Sequence, residues 1–500
     1  MSDKASSASV NVLSRHNLLC AHKSSLKSIH SPFRLGPFDQ VAGFVPIQVV
    51  WVYDHKNDFS GELIPIHRLR RALEHLLDHY PHLTGRLQFN PTDGAREIVA
   101  FGSGAALLEA RCSEPLDAFS SPGLTSPTSR RVLMADLPDA GNALLPPFDP
   151  TPAAVFRDSI LAVQHTRFAC GAVALGVRVH HTVCDGDGFF QVVRHLSEVY
   201  RSLPFDDNKS DFPSVLANPP HIVPYMGELV GGRMEPEKLK VALEFDPPLF
   251  CGPPPATSEP SSSATAFLPP PYAIEGRFIR FSSAQLTALK AKATNPNGID
   301  WISSFEALCA HLYQRVHRAR SELSVTDPTF GELSPTDFLT PINLRSALGL
   351  GAHYTPNALF AAYTTVPSDL LATGSLWQVA KAVHDLTRAK FLTSKEEVDR
   401  SLEWIAAQAE PGRIGSGFRL GNGSCMISQW NKFDIYRGMV FDDIPILAQP
   451  PFTKSSSVDG LGYVLPTEEI ALGGDAGAID VCLALATPVW RIMDQHGPLI

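Results

Sequence analysis

The amino-acid sequence predicts an α/β protein built of two lobes. Its 500 residues exceed what one hydrophobic core usually serves, and segments with helical spacing alternate with β-branched apolar runs in both halves. From about residue 205 to residue 273 the chain is rich in proline and serine and has little periodicity, which is typical of a long crossover. We therefore expect an N-terminal lobe at 1–204, a crossover linker at 205–273 and a C-terminal lobe at 274–500.

The elements of the first half follow from the spacing of apolar residues. The β-branched run at residues 41–53 predicts a buried strand. Helical spacing over residues 69–77 predicts a helix, which should end just before Pro81 because proline cannot continue it. A strand at 174–181 then leads into an amphipathic helix at 188–203.

The second half repeats this alternation of strands and helices. A serine pair opens each of its first two helices and suits a helix N-cap. The predicted elements are strands at 275–281, 339–345, 358–366, 424–430 and 462–466, and helices at 282–293 and 303–323.

Composition bounds the class of protein. The apolar fraction of 44% and the charged fraction of 19% are those of a soluble globular protein. A net charge of -9 and the lack of a lysine- or arginine-rich block argue against nucleic acid. No apolar run reaches the roughly 18 residues of a membrane span, and the N-terminus lacks a signal-peptide core. The eight cysteines form no C-x-x-C pair, so we expect reduced thiols and a cytoplasmic location.

One stretch, "VRVHHTVCDGDGFFQV" (residues 177–192), carries candidate chemistry. An apolar run ends there in His180 and His181, and Asp185 follows the second histidine by four residues across a glycine-containing turn. Because an unperturbed histidine has a pKa near 6.5, His181 suits a general base at neutral pH. The Asp185 carboxylate could hold the imidazole or point away and pin the loop through an arginine, and the spacing does not decide between these roles.

Other interpretations of this stretch compete with catalysis. The pattern could be no more than a satisfied polar turn. Two histidines and a carboxylate could bind a metal ion, but adjacent strand residues point to opposite faces and chelate poorly, so we expect no metal. The same alternation favours a structural role for His180. Cys184 could be a thiol nucleophile, but it has neither a helix N-terminus nor a basic neighbour to lower its pKa, which favours a small filler residue.

Five stretches in order resemble the BAHD-type acyl-CoA-dependent acyltransferases, whose motif is H-x-x-x-D-G. The resemblance spans roughly residues 30–490, and its long proline-rich crossover is similar to that of the filamentous-fungal branch that acts on secondary metabolites. The stretches are "LGPFDQ" (35–40), "YPHLTGRL" (80–87), "HHTVCDG" (180–186), "SSFEALCAHLYQRVHRAR" (303–320) and "INLRSALGLGAHYTPNALF" (342–360).

The resemblance implies a fold and a mechanism. The fold has two chloramphenicol-acetyltransferase-like lobes with mixed β-sheets and flanking helices, and an active-site channel runs between the lobes. His181 is then the general base, which takes a proton from the acceptor and returns it to the departing CoA thiolate. Asp185 is structural and turns toward Arg345 in an ion pair, and Gly186, with Gly188, lets the loop lie close to the pantetheine arm.

The resemblance also assigns residues to the two substrates. Lys290 and Lys292 could meet the nucleotide phosphates of acyl-CoA, or they could form an exposed helix face. Ser428 and Trp430 resemble the strand that borders the acceptor and the developing oxyanion, although a buried tryptophan is more simply a core residue. The remaining residues on the acyl-CoA side are Ser303, Ser304, Tyr354 and Asn357.

Two further features bear on this assignment. Arg315, Arg318 and Arg320 are candidates for a positive mouth, although a solvated helix face is the favoured interpretation. Where plant members carry Asp-Phe-Gly-Trp-Gly, this chain reads "YRGMVFDDIP" (436–445), which leaves the oxyanion contact and the shape of that loop open.

The sequence thus predicts an acyl-CoA-dependent O-acyltransferase that acts on a hydroxyl of a small natural product. Acetyl transfer from acetyl-CoA within a ternary complex is favoured, with no permanently bound cofactor, no membrane partner and a monomeric state. One alternative is a relative of condensation domains that takes a carrier-bound acyl donor. Another is a non-catalytic member that keeps only the fold.

Overall fold

The computed structural model describes residues 9–55, 61–122, 130–204, 216–252, 272–298 and 301–499. The chain divides into two compact units. The first comprises 1–230, 352–357 and 433–453, and the second comprises 231–351, 358–432 and 454–500. Two short segments from the second half of the sequence thus belong to the first unit. The lobe boundaries predicted at 204 and 273 stay predictions, and 205–215 and 253–271 of that crossover lie outside the described residues.

The described strands follow one another along the chain as β1 (Val10–Leu18), β2 (Phe33–Arg34), β3 (Pro46–Tyr53), β4 (Arg86–Phe89), β5 (Arg96–Val99), β6 (Ala105–Cys112), β7 (Ser120–Pro122), β8 (Arg130–Val132), β9 (Leu161–Arg167), β10 (Val173–His180), β11 (Phe250–Cys251), β12 (Ile274–Phe281), β13 (Asp337–Asn343), β14 (Leu359–Thr365), β15 (Gly415–Ser416), β16 (Cys425–Gln429), β17 (Leu447–Gln449), β18 (Leu461–Pro466) and β19 (Ile479–Ala486). The described α-helices are α1 (Pro37–Val41), α2 (Ile66–His79), α3 (Pro152–Arg157), α4 (Gly186–Ser202), α5 (Pro236–Leu243), α6 (Ser283–Ala293), α7 (Ser304–Thr326), α8 (Arg345–Leu348), α9 (Ser368–Thr373), α10 (Leu376–Thr387), α11 (Lys390–Thr393), α12 (Lys395–Ala407), α13 (Glu469–Leu472) and α14 (Thr487–Gln495).

The first unit is built on a six-stranded mixed sheet of order β1-β6-β9-β10-β3-β17. Among the described strands of this sheet, β6 and β9 pair in parallel, and β10 lies antiparallel to both β9 and β3. All eight residues of β10 are buried, as expected of a central strand covered on both faces. Helices α2 and α4 pack against each other, and α2 ends where Pro81 removes the next backbone donor.

The second unit has a six-stranded mixed sheet of its own, of order β12-β19-β18-β16-β13-β14. Here β16 runs parallel to both neighbours, whereas the other described pairs are antiparallel. Long helix α7 supplies much of the core, with Leu308, Leu312 and Val316 fully buried. Serine caps with a reciprocal glutamine or glutamate fix the starts of α6 and α7, as their serine pairs predicted.

The α/β fold class with two sheet-containing lobes is confirmed, and each strand and helix predicted from the sequence is present within a few residues of its expected bounds. Among the described residues, no helix combines the length and the apolar character that crossing a membrane requires. The predicted channel between the lobes stays a prediction.

Candidate active site

The candidate site lies in the first unit, where strand β10 gives way to helix α4. Five residues, 181–185, separate the end of the strand from the start of the helix. Asp185 is the N-cap of α4, and its Oδ1 accepts a hydrogen bond of 3.0 Å from the Gly188 amide. This cap satisfies one of the free amides of the helix start and holds the loop in register. Asp185 therefore has a defined structural role within its own unit.

The backbone of His181 is fixed from both sides. Its amide donates to the carbonyl of Val45 at 3.1 Å, and its carbonyl accepts from Nδ2 of Asn357 at 2.9 Å. Burial lowers the pKa of His181 below its ordinary value of 6.5, against an opposing effect of the Asp185 charge. The imidazole is therefore neutral at pH 7, which a general base requires.

Nδ1 of His181 is buried and has no hydrogen-bond partner among the described residues. Oδ1 of Asn357 is likewise buried without a hydrogen-bond partner in the described part of the chain. The Asn357 side chain is also one of the groups that raise the pKa of His181, so the two side chains are neighbours. A buried polar atom without a partner costs about 1–3 kcal/mol, so such a pair at one place calls for a functional explanation.

Asp39, in helix α1, holds Asn357 in place. Its Oδ1 accepts from the Asn357 side chain at 2.7 Å and from the Asn357 amide at 3.2 Å, while its Oδ2 accepts from the Gly36 amide at 2.8 Å. Burial raises the pKa of Asp39 from 3.8 to about 7, and the Asp185 charge adds to this rise. Asp39 is thus a second carboxyl group near His181, and it titrates near neutrality.

The segment 352–357 packs directly on helix α4. A Cβ atom on Gly188 would stand 2.0 Å from the carbonyl oxygen of Thr355, so only glycine fits at this position. The Thr355 hydroxyl donates to Oε1 of Gln191 at 3.0 Å, one turn further along the helix. Tyr354 is buried, and its hydroxyl accepts from the Tyr225 amide at 2.8 Å. These contacts anchor the segment that carries Asn357.

His180 and Cys184 lie on either side of the candidate base in sequence. The His180 ring is buried, its Nδ1 lies 3.1 Å from the Thr182 hydroxyl, and burial lowers its pKa to about 3. It faces Phe44 edge-on at 6.3 Å. Cys184 is buried beneath the loop, with its Cβ 2.9 Å from where a Cβ on Gly188 would stand. Both placements agree with packing roles.

The loop at 436–445 packs on the opposite part of α4. Oδ2 of Asp442 accepts from the Ile64 amide at 2.7 Å and from the Tyr200 hydroxyl at 2.8 Å. Phe441 is buried edge-on against Tyr53 and Tyr200. This loop is therefore an ordered structural anchor, although it lacks the tryptophan and the Gly-x-Gly pattern expected from the resemblance.

The acyl-CoA-side residues of the second unit occupy the starts and ends of its helices. Ser303 caps α7, with its Oγ accepting from the Glu306 amide at 3.2 Å, and Ser304 is the exposed first residue of that helix. Lys290 and Lys292 lie in the last turn of α6. The Lys290 ammonium stands 5.1 Å from the ring centre of Trp301, whose side chain is 57% exposed.

The remaining predicted residues of the second unit lie on strand β16 and helix α8. Ser428 is half-buried and pairs with Tyr463 of the parallel neighbour β18. Trp430 is buried with its ring 4.8 Å from that of Tyr463, as expected of a core residue. Arg345 is buried at the start of α8. The ion pair of Arg345 with Asp185 stays a prediction.

One sequence interpretation is wrong. Arg320 does not lie on a solvated helix face, because it is fully buried, donates to the carbonyl of Ser424 and pairs with Asp459 at 2.7 Å. Arg315 donates a hydrogen bond to the carbonyl of Gly497, and Arg318 donates one to the carbonyl of Ala372. The spacing of α7 placed these arginines on polar positions but could not show which chain segments cover them.

Sequence reasoning also missed Asp39 as part of the site. Its motif, "LGPFDQ", is one of the five stretches that carry the family resemblance, but the motif alone does not indicate that Asp39 lies near His181. Asn357 was assigned to the acyl-CoA side, and the structure places its side chain beside His181. Any contact of Asn357 with the coenzyme stays a prediction.

Comparisons with known proteins agree with this geometry. The sequence matches the Transferase family over residues 9–487. It is 24% identical over 403 residues to Acyltransferase GLAUCE of Arabidopsis thaliana, which covers 80% of this chain and 77% of that protein. It is 35% identical over 138 residues to taxadien-5-alpha-ol O-acetyltransferase of Taxus cuspidata, but this covers only 27% of this chain and 28% of that one.

The fold is similar to that of F. graminearum TRI101 in a crystal structure with coenzyme A and T-2 mycotoxin. The TM-score is 0.64 at 16% identity, over 92% of this chain and 96% of that chain. The two mixed-sheet units and the family match define the class of protein as an acyltransferase. The chain belongs to the Transferase family, the BAHD acyl-CoA-dependent acyltransferases. The predicted family is thus confirmed, while its filamentous-fungal branch stays a prediction.

Proposed function

We propose that this enzyme transfers an acetyl group from acetyl-CoA to a hydroxyl of a small natural product, with His181 as the general base. The observation that carries the proposal is the neutral imidazole of His181, held at a strand-to-helix junction with a fixed backbone and a buried, unpartnered Nδ1. The printed name of the Taxus relative, an O-acetyltransferase, supports the acetyl group and the hydroxyl acceptor.

The unpartnered atoms suggest how the base is prepared. Nδ1 of His181 carries the ring proton, and Oδ1 of Asn357 is the acceptor that this proton meets when the ring turns toward it. Nε2 is then the free lone pair. This arrangement makes Asn357 a positioning residue, which fixes the tautomer without touching the substrate.

The reaction follows with atoms and charges balanced. Nε2 of His181 takes the proton of the acceptor hydroxyl as its oxygen attacks the thioester carbonyl of acetyl-CoA. The C–S bond then breaks, the imidazolium returns the proton to the thiolate, and free CoA and the acetyl ester leave. Ser428 supplies a hydrogen bond to the oxyanion, a contact that is worth about 2.7–4 kcal/mol in other enzymes.

The second unit supplies the coenzyme contacts in this proposal. Lys290 and Lys292 meet the nucleotide phosphates, with Lys290 held over the exposed ring of Trp301. Ser303 and Ser304 lie along the coenzyme at the start of α7, where helix amides favour negative charge. The protein acts as a cytoplasmic monomer.

A comparison of the two adjacent histidines tests the base. We expect His181→Asn to lower kcat by about 10²–10⁴-fold with little change in thermal stability, because only the proton transfer is lost. His180→Asn should instead lower the melting temperature, since its buried ring packs the strand, and should keep kcat per folded enzyme. Equal activity of wild type and His181→Asn would contradict the base assignment.

A thermal-shift titration with acetyl-, malonyl- and longer acyl-CoAs tests the donor. A donor at 100 times its dissociation constant should stabilise the fold by about 2.7 kcal/mol. We expect the largest shift with acetyl-CoA, and the same shift with the His181→Asn variant. No shift with any CoA thioester, together with turnover of a carrier-bound acyl group, would favour the condensation-domain alternative.

A further inference from the structure

A cluster of metal-ligating side chains lies in the first unit, separate from the β10–α4 junction. His75 and Asp78 stand three residues apart on the last turns of helix α2, and His22 follows strand β1 and docks against them. One ligand atom from each of these three residues lies within 4.8 Å of the other two. The proposed mechanism of acyl transfer uses none of them.

Asp78 stands at the centre of the cluster. Its Oδ2 lies 2.7 Å from Nδ1 of His22 and 3.8 Å from Nδ1 of His75. Its other oxygen, Oδ1, accepts from the His22 amide at 2.9 Å and from the Ser25 hydroxyl at 2.8 Å. One oxygen thus orients the carboxylate and the other faces both imidazoles, which is the division of roles seen when a carboxylate binds a metal.

His75 supplies an independent indication of a ligand. Its side chain is only 9% exposed, and its Nδ1 is buried without a hydrogen-bond partner among the described residues. A buried imidazole nitrogen in this position can offer its lone pair to a cation. An imidazole nitrogen without a partner, close to a carboxylate oxygen, provides two of the ligand types that bind zinc.

We propose that His22, His75 and Asp78 bind a divalent transition-metal ion of the zinc type, with water in the fourth position. Two imidazoles and one carboxylate suit Zn²⁺, whose ligand atoms in tetrahedral geometry stand about 3.3 Å apart. The distances from Asp78 Oδ2 to the two imidazole nitrogens, 2.7 Å for His22 and 3.8 Å for His75, lie on either side of that value, so metal binding requires the His22 ring to move back and the His75 ring to move closer. This site departs from the sequence-based expectation that the protein holds no metal, which considered only the histidines near the acyl-transfer motif.

The consequence is structural. The segment at 20–25 contacts helix α2 through the Ala21 amide, which donates to the Glu74 carbonyl at 2.9 Å, and through the hydrogen bonds that Asp78 accepts. The Cys20 thiol donates to the Leu77 carbonyl and is not part of the three-residue cluster. A bound ion therefore clamps the chain after β1 to the C-terminal turns of α2.

Metal titration of the full-length, tag-free protein after chelator treatment tests the site. We expect one equivalent of Co²⁺ to give the visible absorption of tetrahedral cobalt, and Zn²⁺ to displace it and raise the melting temperature. Hydrogen exchange of the segment at 20–30 should slow when Zn²⁺ is added. Binding should weaken as pH falls through the histidine range, because protons compete for the imidazoles.

Ligand variants and a matched control identify the residues. His22→Ala removes a half-exposed ring and should leave the fold intact while lowering Zn²⁺ affinity by about 100-fold or more. Asp78→Asn should have a similar effect. His67→Ala, on the exposed face of the same helix, should bind like wild type. Absence of stoichiometric binding, or equal loss in His22→Ala and His67→Ala, would overturn the proposal and leave a plain hydrogen-bond network.

Discussion

The two units differ in how a buried strand is connected to the helix that follows it. In the second unit, β19 ends at Ala486 and α14 begins at the next residue. The Ala486 amide donates to Oδ1 of Asp459 at 2.8 Å, and Oδ2 of Asp459 pairs with the fully buried Arg320 at 2.7 Å. That junction is closed by paired charges.

In the first unit, five residues intervene between β10 and α4, and the junction holds a buried, neutral imidazole. Nδ1 of His181 and Oδ1 of Asn357 are buried without hydrogen bonds. Paired charges hold a backbone in one arrangement, whereas unpartnered groups cost stability and are retained where chemistry needs them. The comparison supports the proposal that the first junction takes part in the reaction, whereas the ion pair of the second junction stabilises the fold.

The largest effect is expected when the ion pair at the junction between β19 and α14 is removed. Asp459→Ala leaves Arg320 buried without its partner, and we expect the free energy of unfolding to fall by about 3–5 kcal/mol. Chemical denaturation measures this loss. Asp385→Ala, which removes an exposed ion pair with Lys381, is the control and should cost about 0–1 kcal/mol. If Asp459→Ala also removed kcat from the folded fraction, the assignment of this junction to stability alone would be wrong.

A smaller effect is expected where segment 352–357 packs on helix α4 at the junction between β10 and α4. Gly188→Ala places a Cβ 2.0 Å from the Thr355 carbonyl oxygen, so the backbone must move, at a cost of about 1–3 kcal/mol. Because the same segment carries Asn357, kcat should fall as well. Gly351→Ala, whose Cβ meets nothing within 4 Å, should stay within about 0.5 kcal/mol of wild type. Similar results for both variants would contradict the close approach.

The third expected effect is a pH dependence of stability that originates at the first junction. The folded pKa of Asp39 is raised to about 7 from 3.8, so the folded state binds a proton more tightly than the unfolded state between these values. Its contribution to stability is therefore complete below about pH 4 and is lost progressively as pH rises toward 7. Unfolding curves of wild type and Asp39→Asn across this range should converge or cross as pH rises. A constant difference between them would show that Asp39 does not titrate in this range.

Many of the helices and strands could be predicted from the sequence because local patterns determine where they begin and end. Helix α2 ends where Pro81 requires, and the capping serines of α6 and α7 mark their starts. Strand β19 was missed, since its apolar residues 481–486 show no alternation and its leucines and alanines do not favour a strand over a helix, unlike the β-branched run of β3.

The site was legible only in part. His181 and Asp185 stand in one motif, so their neighbourhood is local. Asp39 and Asn357 meet across more than 300 residues of chain, and the burial of Arg320 depends on distant Asp459. Contacts of this range leave no periodic signal in either segment, so only the folded structure reveals them.

The pairing of β17 with β3 has a consequence for synthesis on the ribosome. Residues 447–449 complete the edge of the first sheet, against a strand made about 400 residues earlier. At about 5–20 residues per second, the 223 residues between Val230 and Thr453 take roughly 10–45 s to translate. During that time β3 offers an unpaired edge to any neighbouring nascent chain. Protection of this edge by chaperones, or slow release of the chain, then becomes a requirement for yield.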